Sequence, residues 1–241
     1  MLDLIGTTVL TAVIAVILYA VIAMMPLSST QKLTTVTIAG LWIGFAIALA
    51  TTGIYAAAAT PVPAVGIMIA LPLVAIGAAA LLSSGVRATL LGLPVPLLLG
   101  LNALRILPGA FILLLASQGK LSGPFPQSAG WGDIIVGVIA IPLMLTAARN
   151  FAGSRGALLA WNILGTLDLM EAVALGVLSA PGSPLQIFGG AVGSTGMWSL
   201  PWSSVPTVLV PFYFITHGIV FAHLAQRTRQ NNAFAATQAR L

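Results

Sequence analysis

The sequence predicts an all-α membrane protein, a polytopic bundle of seven transmembrane helices, from three observations. The 241 residues carry only 9 Lys and Arg and 4 Asp and Glu, whereas about a quarter of a soluble domain is charged. Hydrophobic residues make up 59% of the chain, and the mean hydropathy is +1.09. Seven apolar stretches are separated by short polar segments, and with seven crossings nearly all of the basic residues in those segments fall on one side. Too little polar surface remains to coat a water-exposed fold.

Each predicted helix is an apolar stretch of about 20 residues, the length that spans a bilayer. Asp3 stands where a signal peptide would have Lys or Arg, so we expect the first helix to be retained. Pro26 ends the first helix, and a Thr-Pro-Val-Pro turn at 60–63 closes the second. The seven predicted helices are residues 4–25, 34–58, 64–83, 97–117, 132–148, 157–179 and 204–225.

The later helix boundaries rest on Gly, Pro and Ser, which favour turns. A Ser-Gly-Val-Arg segment at 84–87 follows the third helix, and Pro94 and Pro96 precede the fourth. A polar loop at 118–130 leads to the fifth helix, and a Gly-, Pro- and Ser-rich loop at 180–203 joins the sixth to the seventh. The predicted loops are too small to hold a soluble catalytic domain, so we do not favour an enzyme.

The basic residues predict the orientation, because short cytoplasmic loops are enriched in Lys and Arg. With the N-terminus outside and the C-terminus inside, the outside segments contain only Lys120. We therefore expect one transmembrane domain at 1–225 and a polar cytoplasmic tail at 226–241, in a cell membrane of the bacterial inner or plasma type. The basic residues of the inside segments are Lys32, Arg87, Arg149, Arg155, Arg227, Arg229 and Arg240.

The composition excludes several kinds of chemistry. The chain has no cysteine, so thiolate catalysis, Fe–S clusters and Cys-based zinc sites are ruled out. The scattered basic residues form no patch for nucleic acid. Seven helices with an outside N-terminus are also the threading of retinal proteins, which hold the chromophore on a lysine of the seventh helix. Here both lysines, Lys32 and Lys120, lie in predicted loops, so retinal is argued against.

Three ionisable residues are predicted at one depth near the bilayer centre, although charges there are costly. From the rise of about 1.5 Å per residue, Arg105, Asp168 and His217 share this layer. Glu171 lies about one turn further out than Asp168. We expect Arg105 to pair with Asp168. Pro108 is expected to kink the helix beside Arg105 and to free a backbone carbonyl for a ligand.

Neighbouring residues on the same helix faces complete the predicted site. Trp161 shares a face with Asp168, and Asn102 shares one with Arg105. Asn162 occupies a position on the sixth helix similar to that of Asn102 on the fourth. Asp133 is predicted in the first turn of the fifth helix, where it complements the helix dipole or lines an outer mouth. At that depth it would lie about two turns or more from Asp168.

These residues favour a transporter or permease-like protein for a small solute or protons. Arg105 would attract an anionic group or tune Asp168, and Glu171 or His217 would relay a proton. A structural ion-paired network without a solute is the simpler alternative. The expected partners are the lipid bilayer, a small-molecule or ion ligand, and a second copy or a membrane partner subunit.

Two further alternatives come from other features. In a ligand-sensing or accessory subunit, the loop at 180–203 would cap a pocket, and Arg227 and Arg229 would contact a partner or anionic lipids. In a membrane redox protein, His217 would bind haem or a metal, with His223 as a weaker candidate ligand. The two histidines are six residues apart and do not form an i, i+4 pair, so no cofactor is predicted and haem remains the alternative.

Overall fold

The computed structural model is all-helical over the residues that it describes. It describes residues 1–56, 64–150, 153–188, 190 and 192–238, with side chains as far as Gln226. The predicted turn at 60–63, the end of the tail at 239–241 and the side chains of Arg227 and Arg229 lie outside that description.

Nine α-helices are present in the described part of the chain, and α5 and α6 together make one span. Seven helical segments are long and apolar enough to cross a membrane, in agreement with the predicted number. A π-helical turn, Val205–Leu209, leads directly into α9. The helices are α1 Leu2–Met24, α2 Ser29–Thr51, α3 Ala64–Leu82, α4 Ser84–Leu91, α5 Val95–Ala103, α6 Ile106–Ser117, α7 Phe125–Arg149, α8 Arg155–Leu178 and α9 Val210–Gln238.

Several predicted boundaries were wrong, and the second helix runs over Ser29–Thr51 instead of 34–58. The segment after α3 is the short helix α4, which begins at Ser84 behind the N-cap Ser83. Helix α7 begins at Phe125 instead of 132, because Pro124 and Pro126 occupy its N-terminus, where proline is tolerated. Helix α9 continues to Gln238 and so includes most of the predicted tail.

The predicted fourth helix is broken at Leu104 and Arg105. Because Pro108 has no N–H, the carbonyl of Leu104 would lack its helical donor. That carbonyl accepts the Leu107 N–H at 3.1 Å, and the Arg105 N–H reaches the Asn102 carbonyl at 3.1 Å. The break was expected, but the Leu104 carbonyl is not free for a ligand because this tighter bonding satisfies it.

Helix α7 packs closely against α5, α6 and α8 and so lies at the centre of the bundle. Glycines permit its approach to α6: a Cβ on Gly109 would come within 2.7 Å of the Gly130 carbonyl and 2.8 Å of the Asp133 Cβ. The same approach carries Asp133 to the break in the neighbouring span. Four spans therefore meet around Arg105: α5–α6, α7, α8 and α9.

Candidate functional site

The guanidinium of Arg105 is fully buried and binds two carboxylates. Its Nε donates to Asp133 Oδ1 at 2.7 Å, and its Nη2 reaches the same oxygen at 2.7 Å. The Nη2 also forms an ion pair with Asp168 Oδ2. Arg105 and Asp168, which were predicted to pair, thus meet in the bundle, and Asp133 from α7 joins them.

His217 occupies the remaining side of the guanidinium. The Arg105 Nη1 lies 3.2 Å from His217 Nε2 and 3.4 Å from the Gly165 carbonyl. An arginine only donates, so His217 Nε2 accepts. The other ring nitrogen, Nδ1, lies 2.7 Å from Asn162 Oδ1 and must carry the proton.

Asn162 fixes this tautomer because both ends of its amide are engaged. Its Nδ2 donates to the His217 backbone carbonyl at 3.0 Å, so its Oδ1 faces the ring. Two hydrogen bonds between α8 and α9 therefore hold the imidazole with its lone pair toward Arg105.

Two aromatic rings close the site. The Tyr213 ring centroid lies 5.4 Å from Arg105 Cζ, within the range of a cation–π contact. The Trp161 ring packs on His217 with a centroid separation of 4.9 Å, and its Nε1 donates to the Val136 carbonyl at 3.0 Å. These rings exclude water from one side of the charged cluster and restrict the side chains inside it.

Asn102 lies beside the cluster without bonding to its charges. Its Nδ2 donates to the Leu98 carbonyl and to Thr216 Oγ1, both at 2.9 Å. Thr216 directly precedes His217, so Asn102 ties α5 to the stretch of α9 that carries the imidazole. We therefore assign Asn102 a role in positioning His217 and not in binding the charges.

Glu171 lies outside the charged cluster, although the sequence placed it in the predicted site. It is exposed on α8 and accepts a hydrogen bond from Ser128 Oγ at 2.7 Å. Its chemistry matches that of Asp168, one turn away, but its surroundings do not. Glu171 therefore serves as a matched control for Asp168.

The predicted position of Asp133 in the first turn of its helix was wrong. Because α7 begins at Phe125, Asp133 lies more than two turns inside it, where the unpaired N–H groups of the helix end do not reach. The predicted separation in depth from Asp168 was also wrong, since both carboxylates bind Arg105. Asp133 lines a cavity that also includes side chains of the loop at 180–203.

Two glycines make room for the cluster, and sequence reasoning missed Gly132. A Cβ on Gly132 would collide with the Asp168 carboxylate, and one on Gly165 would collide with the His217 ring. Gly165 lies one helical turn before Asp168, and Gly132 directly precedes Asp133. Their positions next to intramembrane acids were the available signal.

The charges within the cluster do not balance. One guanidinium faces two carboxylates, and the hydrogen bonds of His217 are those of a neutral imidazole. The fully ionised cluster would carry a net charge of −1 in a nearly water-free site, which is costly. A bound proton or an external cation would remove that cost.

A mostly apolar cavity of about 120 Å³ extends from this cluster toward the loop at 180–203. Side chains of α3, α6, α7 and α8, the π-helical turn and that loop line it. Asp133 forms its charged end, and Trp198 lies in the loop portion. A small ligand in the cavity would therefore contact a carboxylate that is already bound to Arg105.

The geometry gives little support to a haem or metal at the histidines. Both ring nitrogens of His217 are engaged, by Arg105 and Asn162, and the His223 Nε2 lies 3.1 Å from the Leu93 carbonyl. Within the described ranges, no group of three or more His, Cys, Asp or Glu side chains is placed to hold a metal ion. A metal at His217 would first have to displace the guanidinium.

Comparison with known proteins places the chain in a family. Residues 62–225 match the model of the domain of unknown function DUF8737, and the chain belongs to this family. No curated protein and no solved structure matches the chain. The matched segment contains Arg105, Asp133, Asp168 and His217, whereas α1 and α2 lie before it.

Proposed function

We propose that this family member is a permease that couples the movement of a small solute to a proton, and that the Arg105 cluster is its coupling site. The observation that carries the proposal is the sharing of one buried guanidinium by Asp133 and Asp168. The excess carboxylate needs either a proton or a cation, and exchange between these two is the basis of coupled transport.

The arrangement of the helices supports two alternative states of the cluster. Asp133 belongs to α7, Asp168 belongs to α8, and Arg105 lies at the break between α5 and α6. Protonation of one carboxylate weakens its pairing with Arg105 and favours the other pairing. Because each acid is fixed to a different helix, that choice changes how the helices pack.

His217 and Asn162 have a supporting role in this proposal. His217 Nε2 accepts from Arg105 Nη1, so the imidazole holds the guanidinium in place while its carboxylate partners change. The proton exchanges at Asp133 and Asp168, while Glu171, hydrogen-bonded to Ser128 on the exposed surface, takes no part. We further propose that the protein lies in a cell membrane with its N-terminus outside.

Proton flux in liposomes tests this proposal. The purified protein is reconstituted with a pH-sensitive dye inside, a potential is imposed with K⁺ and valinomycin, and a panel of amines, amino acids, organic acids and sugars is added outside. We expect at least one solute to drive a change of internal pH. Asp168→Asn and Arg105→Gln should reduce that signal at least about tenfold, as expected for a group that carries the proton.

Glu171→Gln is the matched control, because it removes a carboxylate one turn from Asp168 and should leave the flux within about twofold. Equal insertion of all variants is checked by their yield in the liposomes. Intact flux in both Asp168→Asn and Arg105→Gln would refute the coupling role. A stoichiometric partner that co-purifies, without flux for any solute, would favour the ligand-sensing or accessory subunit.

The visible absorption spectrum separates the redox alternative. A Soret band that disappears in His217→Ala would establish a haem at this histidine and would contradict the permease proposal. We expect a colourless preparation, because His217 Nε2 is already hydrogen-bonded to Arg105.

A further inference from the structure

We propose that the cavity next to Asp133 binds a small lipophilic ammonium ion, with the ammonium group on the Asp133 carboxylate. The inference rests on the proposed function only in naming this amine as the solute. Binding itself follows from the lining, the charge and the size of the cavity.

The lining of the cavity suits an apolar molecule. Ile69 of α3, Ile112 of α6, and Leu169 and Val173 of α8 provide aliphatic walls, and Trp198 provides an aromatic one. An amine with an aromatic ring or a short alkyl chain would lose water-exposed apolar surface on entering, which is favourable.

The charge of the cavity favours a cation. Among the described residues that line it, Asp133 alone is formally charged, and its side chain keeps 14% of its surface exposed. The hydrogen bond from Arg105 Nε and the ion pair with Arg105 Nη2 both involve Asp133 Oδ1, and no described residue donates to Oδ2. An ammonium group on Oδ2 would donate a charge-assisted hydrogen bond.

An anion or a neutral polar molecule fits the cavity less well. Arg105 is fully buried behind its two carboxylate partners, so an entering anion would meet Asp133 first. A neutral group would leave the cluster with its excess negative charge. An ammonium ion restores neutrality with Asp133 and Asp168 both ionised, and so takes the place of the proton in the proposed exchange.

The size of the cavity limits the body of the amine. Its volume of about 120 Å³ is close to that of engineered protein cavities of about 150 Å³ that bind benzene. One aromatic ring or a comparable alkyl chain therefore fits, and a longer chain would have to extend out of the cavity.

Calorimetric titration of the full chain in lipid nanodiscs tests the inference. The probes are 2-phenylethylammonium and its neutral counterpart 2-phenylethanol, which share one ring and one chain length. We expect the ammonium probe to bind at least about tenfold tighter, the range for a charge-assisted hydrogen bond. The fluorescence of Trp198 should change on binding, and Trp198→Phe should abolish that change.

Asp133→Asn should reduce the preference for the ammonium probe to within about threefold, because a neutral amide replaces the carboxylate. Glu171→Gln removes the same number of charges as Asp133→Asn and should leave the preference unchanged. Ala172→Phe fills the cavity without touching the charged cluster, and should weaken both probes together at least about tenfold. It therefore tests the site even if Asp133→Asn does not fold.

Equal affinity for the two probes, or a preference that survives in Asp133→Asn, would overturn the inference. Absence of binding by either probe would also overturn it. Ammonium binding without proton flux would remove the permease proposal but leave the amine site standing. If solute-driven flux depends on Asp168 but neither probe binds, the permease proposal would stand and the inference of an amine site would be wrong.

Discussion

Gly165→Ala is a substitution for which the structure predicts a large effect from a single methyl group. Its Cβ would collide with the His217 ring and would lie 3.1 Å from Val136 Cγ1. The imidazole would have to move and would lose its hydrogen bonds to Arg105 and Asn162. We therefore expect loss of stability together with loss of the proposed flux.

The free energy of unfolding should fall by about 3 kcal/mol in Gly165→Ala. Overpacking costs about 2 kcal/mol and the two lost hydrogen bonds about 1 kcal/mol each. The gain in helix propensity from glycine to alanine returns about 1 kcal/mol. Unfolding by SDS in mixed micelles, followed by far-UV circular dichroism, measures the difference.

Gly218→Ala is the matched control, because Gly218 adjoins His217 on α9 and a Cβ there would meet nothing within 4 Å. It should gain up to about 1 kcal/mol through helix propensity alone. If the unfolding free energies of Gly165→Ala and Gly218→Ala agree to within about 1 kcal/mol, the close contact with His217 is absent and the reasoning fails.

Three further substitutions test the cluster and the packing around it. Arg105→Gln leaves two buried carboxylates unpaired and should lower the free energy of unfolding in SDS by about 3–5 kcal/mol. Asp133→Asn leaves one carboxylate paired with one guanidinium and should lower it by less. Equal losses in the two variants would contradict the charge imbalance. Gly109→Leu should separate α6 from α7 and lower the thermal unfolding midpoint of the purified protein. Gly77 has open space around it, so Gly77→Leu should leave the midpoint unchanged. Equal midpoints in the two variants would refute the close packing of α6 on α7. Trp161→Phe removes one buried N–H donor and should cost about 1–3 kcal/mol in SDS unfolding, and an unchanged value would show that this donor is not required.

The spans of the bundle follow from the sequence because the bilayer imposes a simple rule of length and apolarity. The start of α7 did not follow, since Pro124 and Pro126 favour a loop and a helix N-terminus alike. That boundary had a chemical consequence. Because the helix start was predicted at 132, Asp133 was predicted near the N-terminus of the helix. Its pairing with Arg105 was therefore not predicted.

A common layer for Arg105, Asp168 and His217 could be predicted because helical rise fixes depth along each span. Which residues face one another around the bundle could not, because depth says nothing about rotation. Glu171 shares a helix face with Asp168, yet it is exposed and bonds to Ser128. Gly132 was missed for a related reason: it matters because the Asp168 carboxylate occupies the space that its side chain would fill.

Because the span is broken at Arg105, α6 is a short helix whose tilt would pivot at the charged residue. Helix α6 has 12 residues, so it extends about 18 Å from the break. A tilt of α6 by about 10° at the break would move its C-terminal end by about 3 Å. Ile112, midway along α6, is part of the cavity wall. A small tilt at Arg105 would therefore change the shape of the space that a ligand would occupy.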